Sequence, residues 1–97
     1  FYVIYKDDGS ETAQRSKYMA KRVGCDTLWR TQEGSNMGGT VTAEALRRGI
    51  PSVTLECGGG TFTPEHLRDY LIAIEGFMQA AGVLPGEAPV QERYTII

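Results

Sequence analysis

Four short runs rich in apolar, β-branched or aromatic residues alternate with three stretches of helical spacing, and that alternation constrains the fold most. The order is β-α-β-loop-α-β-α-β. Strands alternating with helices argue for an α/β fold, a sheet layered with helices whose strands are largely parallel. The first run, "FYVIY" (Phe1 to Tyr5), ends at the turn cluster Lys6-Asp7-Asp8-Gly9. Ser10 is placed as an N-cap, and the helix behind it runs to about Val23. Ala13, Ser16, Met19, Ala20 and Val23 share one face of it, and Gly24 is a natural stop. "CDTLWR" (Cys25 to Arg30) reads as the second strand. The polar, glycine-rich loop Thr31 to Gly39 follows, then a short helix from Thr42 to Arg48 closed by Gly49. "IPSVTLEC" is the third strand, and Pro51 is tolerated near its start because it needs no ladder N–H there.

The last helix has the plainest signals. Thr63 sits at the N-cap position, Pro64 at the first helical position and Glu65 beside the positive helix end. Leu67, Tyr70, Leu71, Ile74, Phe77, Met78 and Ala81 form one apolar stripe, and Gly82 and Pro85 end the element. "PGEAPVQE" reads as a linker into a final strand, "RYTII".

In parallel sheets, ligands gather at the carboxyl ends of the strands. That rule points to one functional edge made of Lys6 to Ser10, Thr31 to Gly39 and Glu56 to Thr61. Charge narrows the ligand. With 10 basic and 12 acidic residues the net charge is −2, which offers no footprint for nucleic acid or an anionic membrane. The apolar runs are too short to span a bilayer. Cys25 and Cys57 form no C-x-x-C pair, so a zinc ribbon is not indicated. Both lie beside strands and read as buried thiols of a reducing, cytoplasmic compartment, with a disulfide between them as the alternative.

The stretch "PSVTLECGGGTF" (Pro51 to Phe62) carries the candidate chemistry. Side chains alternate along a strand, so Val53, Leu55 and Cys57 share one face while Ser52, Thr54 and Glu56 share the other. Glu56 therefore closes a polar row. A carboxylate half in the sheet and half in a cleft would be partly desolvated, which moves its pKa toward that of a general base. The structural alternatives are a carboxylate satisfied by a neighbouring arginine or by backbone amides, and a glycine run that merely makes a tight turn. A phosphate cradle is a third reading, but both glycine-rich phosphate motifs are missing.

The run "RRGIPSVTLECGGGTFTPEHLRDYLIAIEGFMQAAGVL" resembles the signature of the succinylglutamate desuccinylase/aspartoacylase family. In that family a small-residue helix leads through G-[IV]-P into a strand ending T-[LV]-E-x-G-G, followed by a loop and a long helix. The upstream "SNMGGTVTAEALRRG" is similar to the loop and short helix before that strand. The specific part is Gly49 to about Gly60. The family is related to the zinc carboxypeptidases, and its members remove an acyl group from the nitrogen of an amino acid or related amine. The resemblance implies a mixed, largely parallel sheet flanked by helices, zinc carboxypeptidase-like, of which this chain is a part. It implies that Glu56 is the general acid/base: it activates a zinc-bound water and passes the proton to the leaving amine.

The family's zinc ligands are a His-x-x-Glu pair and a further histidine, all upstream of the matching segment. This chain has one histidine, His66, which matches no family ligand and reads as a surface or capping residue. No metal ligand is expected in this segment, so the one zinc would be held by residues before Phe1. The ends agree with a piece of a longer protein. Residues 1–90 are read as the carboxyl-terminal half of a zinc-hydrolase catalytic domain, and 91–97 as the start of a following β-rich domain. An edge exposed by isolation would favour self-association into a homo-oligomer.

For an N-acyl amino acid substrate, Ser35, Asn36, Gly38 and Gly39 are candidate hydrogen-bond donors, an ordinary loop being the alternative. Some family members hold the substrate carboxylate with an arginine on the short helix. The corresponding turn has Leu46, flanked by Arg47 and Arg48, and Arg47 is the candidate even though each neighbour is turned about 100° away. Trp29 and Tyr18 read as packing residues. Two rival functions stand beside the deacylase: a carboxypeptidase-like amide or peptide hydrolase, and a non-catalytic α/β binding module.

Overall fold

The computed structural model of the chain describes residues 1–32, 39–57 and 60–97. Its elements are β1 (Tyr2–Asp7), α1 (Glu11–Ala20), β2 (Thr27–Gln32), α2 (Val41–Arg47), β3 (Thr54–Glu56), α3 (Pro64–Ala80) and β4 (Thr95–Ile96). They form an α/β domain with one four-stranded sheet in the order β3-β1-β2-β4. β1 and β2 are parallel, with Val3 opposite Leu28, and β2 and β4 are parallel, with Leu28 opposite Ile96. β3 runs antiparallel to β1, with Tyr2 opposite Glu56 and Ile4 opposite Thr54. The sheet is therefore mixed and mainly parallel.

The antiparallel β3 corrects the expected functional edge. The carboxyl ends of β1 and β2 lie together, Asp7 opposite Gln32. Glu56, at the carboxyl end of β3, lies beside the amino end of β1 instead. A six-residue strand spans about 17 Å, and that length separates Glu56 from the turn at Lys6 to Ser10. β3 is also shorter than expected. Only Thr54–Glu56 form ladder bonds, because the Ser52 N–H is drawn away to Ser16 Oγ of α1 at 3.0 Å.

The core sits between one face of the sheet and two helices. Val3 and Tyr5 of β1 and Leu28 of β2 pack against Ala20 and Val23 around α1 and Ala73 of α3, with Cys25 enclosed between them. The Tyr5 hydroxyl is buried there with no hydrogen-bond partner among the described residues. The face expected of the first helix is buried as read, although the helix ends at Ala20 and Val23 is held by the turn after it.

α3 departs from its expected stripe. Ala73 and Gly76 are its fully buried positions, with Phe77 packed partly against the core. Leu67, Leu71 and Ile74 are 48%, 58% and 48% exposed. The cause is distance. At Gly76 the helix approaches the backbone of Arg22 so closely that only a residue without a side chain fits, and the large apolar residues are turned aside. The segment read as a linker is docked as well. Ala88 is 9% exposed, and the Gln91 N–H donates to the Lys21 carbonyl at 2.7 Å.

Each described helix begins on a side-chain cap: Ser10 and Thr63 as expected, and Thr40 for α2, which starts at Val41 and not at the expected Thr42. Ser10, Thr40 and Thr63 each accept from the backbone N–H three residues on. At α3 the cap is reciprocal, because His66 Nδ1 accepts from the Thr63 N–H at 3.2 Å while Thr63 Oγ1 accepts from the His66 N–H. Thr63→Ala removes that box and is expected to lower stability by about 1 kcal/mol. A thermal melt should fall by roughly 4–8 °C for that change, and an unaltered melting point would mean the cap contributes nothing.

Candidate functional site

Glu56 faces away from the core because of strand alternation. Leu55 packs against the core cluster, so its neighbours Thr54 and Glu56 turn to the other face. There the Tyr2 hydroxyl donates a hydrogen bond to Glu56 Oε2. The two residues are directly opposed across the antiparallel pair, which places their side chains side by side. The hydrogen bond to the carboxylate pushes the Tyr2 phenol above its ordinary pKa, with burial and the negative charge of Glu56 adding to the effect. The Trp29 ring lies on the other side of Tyr2, with centroids 6.0 Å apart and planes inclined at 49°. Trp29, Tyr2 and Glu56 thus form a row across β2, β1 and β3. Glu56 is exposed, which corrects the expectation of a half-buried carboxylate. No lysine or arginine pairs with it among the described residues.

The other predicted residues divide into two groups. Ser35, Asn36 and Gly38 lie outside the described residues. Gly39 and Arg47 line one surface depression of about 420 Å³ with Thr40, Ala43 and Glu44. Glu56 does not line it. Arg47 is already engaged: its Nε donates to Glu44 Oε2 at 2.9 Å, and Arg48 Nε donates to Glu44 Oε1 at 2.8 Å. The two guanidinium groups hold the Glu44 carboxyl below its ordinary pKa, and the same bond holds Arg47 above its own. A substrate carboxylate would have to share Arg47 with Glu44. The chain after α2 runs to the far end of β1, where a Cβ on Gly49 would lie 3.9 Å from Thr12 Oγ1 in the first turn of α1. Its positive φ of 75° makes the turn that brings it there.

Tyr2 is the residue that sequence reasoning missed. Its signal is the alternation of "FYVIY", which puts Tyr2 and Ile4 opposite Val3 and Tyr5, but the register with β3 is a long-range fact. Trp29, expected to pack, is 41% exposed. Tyr18 is half exposed, with the Arg22 guanidinium carbon 3.4 Å from its ring centroid.

Among the described residues no three His, Cys, Asp or Glu side chains converge as metal ligands. His66 is occupied at Nδ1 by the α3 cap. These residues do not fit a zinc site by themselves. No helix among the described residues is long and apolar enough to cross a membrane. Cys25 and Cys57 are both free. Cys57 is only partly buried, contrary to the expectation for both thiols. Burial pushes the Cys25 thiol up to about 12. Cys25 is therefore expected to stay unalkylated at pH 8 in the folded protein while Cys57 reacts. Mass spectrometry of the alkylated protein checks this, and rapid labelling of Cys25 in the native state would contradict it.

A separate cleft of about 310 Å³ lies between α3 and the docked segment, lined in part by Arg22, Glu75, Gln79 and Gln91. It is not continuous with Glu56. Comparison of the chain with protein-family models, with curated proteins and with solved structures finds no match.

Proposed function

We propose that this chain is the carboxyl-terminal half of the catalytic domain of a zinc-dependent hydrolase that removes an acyl group from an N-acyl amino acid or related amine. Glu56 is its general acid/base. The observation that carries the reading is the state of Glu56. It ends the strand of the "TLECGGG" run, exposed on the polar face, and is met by a neutral hydroxyl rather than neutralised by a cation. A carboxylate held by one neutral donor keeps a second oxygen for proton traffic. In this role Glu56 takes a proton from the attacking water and returns it to the amine as the C–N bond breaks.

As the family resemblance implies, the zinc would be held by residues upstream of Phe1. Residues 91–97 would lead into a following β-rich domain. β4 hydrogen-bonds to β2, so such a domain would join the catalytic sheet directly. The two free cysteines favour a reducing, cytoplasmic setting.

The test is amine release by the complete protein, assayed on N-acyl amino acids and on peptides with zinc present. Release from the acylated amino acids with little from peptides supports the deacylase. The reverse preference makes it a carboxypeptidase-like enzyme, and no turnover of either class leaves a binding module.

A further inference from the structure

We propose that Tyr2 is the positioning residue for Glu56, holding Oε2 through its phenol so that Oε1 alone faces the space above the sheet. The role rests on the deacylase reading; the contact itself rests on geometry. Three observations carry it. Tyr2 and Glu56 are register partners at the antiparallel end of the sheet, so the phenol reaches the carboxylate without spanning a loop. The Tyr2 hydroxyl donates to Oε2, and no charged side chain competes for that oxygen among the described residues. Trp29 lies against the Tyr2 ring and limits where the phenol can swing.

A glutamate side chain at an exposed strand end has three rotatable bonds and would otherwise sample many rotamers. Immobilising such a chain is entropically costly, and a proton carrier must sit within hydrogen-bond reach of its proton. The Tyr2 bond does the ordering before substrate arrives. It also separates the two oxygens by role: Oε2 accepts from the phenol, and Oε1 is left to exchange a proton with water or amine. The raised pKa of Tyr2 agrees, since a phenol that donates to a carboxylate resists losing its proton.

The experiment has two readouts in the active protein. The first is the phenol titration near 295 nm, compared among the wild type, Tyr2→Phe, Glu56→Ala and the double variant. The Tyr2 step, isolated by difference, should move to lower pH when Glu56 is replaced. If it does not move, the bond is not made in solution and the proposal fails. The second is steady-state kinetics of Tyr2→Phe. Turnover (kcat) should fall about ten-fold or more with KM little changed, since a bond to a charged group is lost but no substrate contact is. An unchanged kcat in Tyr2→Phe beside a collapsed kcat in Glu56→Gln overturns the positioning role and leaves the deacylase reading intact. An unchanged kcat in Glu56→Gln removes Glu56 from the reaction, and the positioning role falls with it.

Discussion

Gly76→Ala is expected to destabilise the fold by roughly 2–4 kcal/mol, although the same change in an exposed helix interior gains about 1 kcal/mol. The reversal comes from one distance. A Cβ built on Gly76 would lie 2.1 Å from the Arg22 carbonyl oxygen and 3.3 Å from its carbon. The obstacle is backbone, so no rotamer change relieves it. Either α3 moves off the turn after α1, or that turn moves. Ala88 sits on the same spot, 3.7 Å from the added carbon, so the docked segment would be disturbed as well. Because α3 meets the core mainly through Ala73 and Gly76, lifting it would uncover Val23 and Cys25. Urea unfolding measures the effect, with the midpoint falling and the slope nearly constant. A midpoint that rose, as helix propensity alone requires, would mean that α3 stands farther from Arg22.

Glu56→Gln is expected to lower the turnover of the complete protein by roughly 10²- to 10⁴-fold while leaving its melting temperature nearly unchanged. The separation of the two effects is what makes the variant informative. Glutamine has the size of glutamate, and its carbonyl can still accept from the Tyr2 hydroxyl, so the sheet edge keeps its hydrogen bond. Glu56 is exposed and forms no ion pair among the described residues, so little folding energy is at stake. What the amide loses is proton affinity: it takes no proton from water near neutral pH and has none to return to a leaving amine. Turnover and melting on one preparation, with zinc content measured alongside, give the result. A turnover within about two-fold of wild type would remove Glu56 from the reaction, since general acid/base catalysis is a far larger effect.

The local elements were legible because their causes are local. Ser10 and Thr63 cap helices because a hydroxyl three residues before a backbone N–H satisfies it wherever the rest of the chain goes. The face of α1 with Ala13, Ser16, Met19 and Ala20 was readable from helical spacing and is buried. The split of β3 into a core face with Leu55 and an outer face with Glu56 followed from strand alternation alone.

The stripe on α3 misled for the opposite reason. Spacing shows which residues share a side of a helix, not how near that side comes to its neighbour. At van der Waals contact with the Arg22 carbonyl, glycine and alanine displaced leucine and isoleucine from the interface. The single functional edge failed similarly. β-α-β order predicts parallel neighbours, but β3 returns antiparallel beside β1, so its carboxyl end meets the amino end of its partner. Gly39 and Arg47 share a depression because α2 brings its two ends to one surface, and Glu56 stands elsewhere.

The amino-acid sequence by itself determined the α/β class, the starts of the first and last helices and the outward face of Glu56. These depend on hydrogen bonds and periodicities within a few residues, which a single sequence carries in full. Only the tertiary structure decided the direction of β3, the small-residue seat of α3 and the partner of Glu56. Each depends on a contact between distant segments: Tyr2 reaches Glu56 across 54 positions of chain, and only the paired strands set that distance.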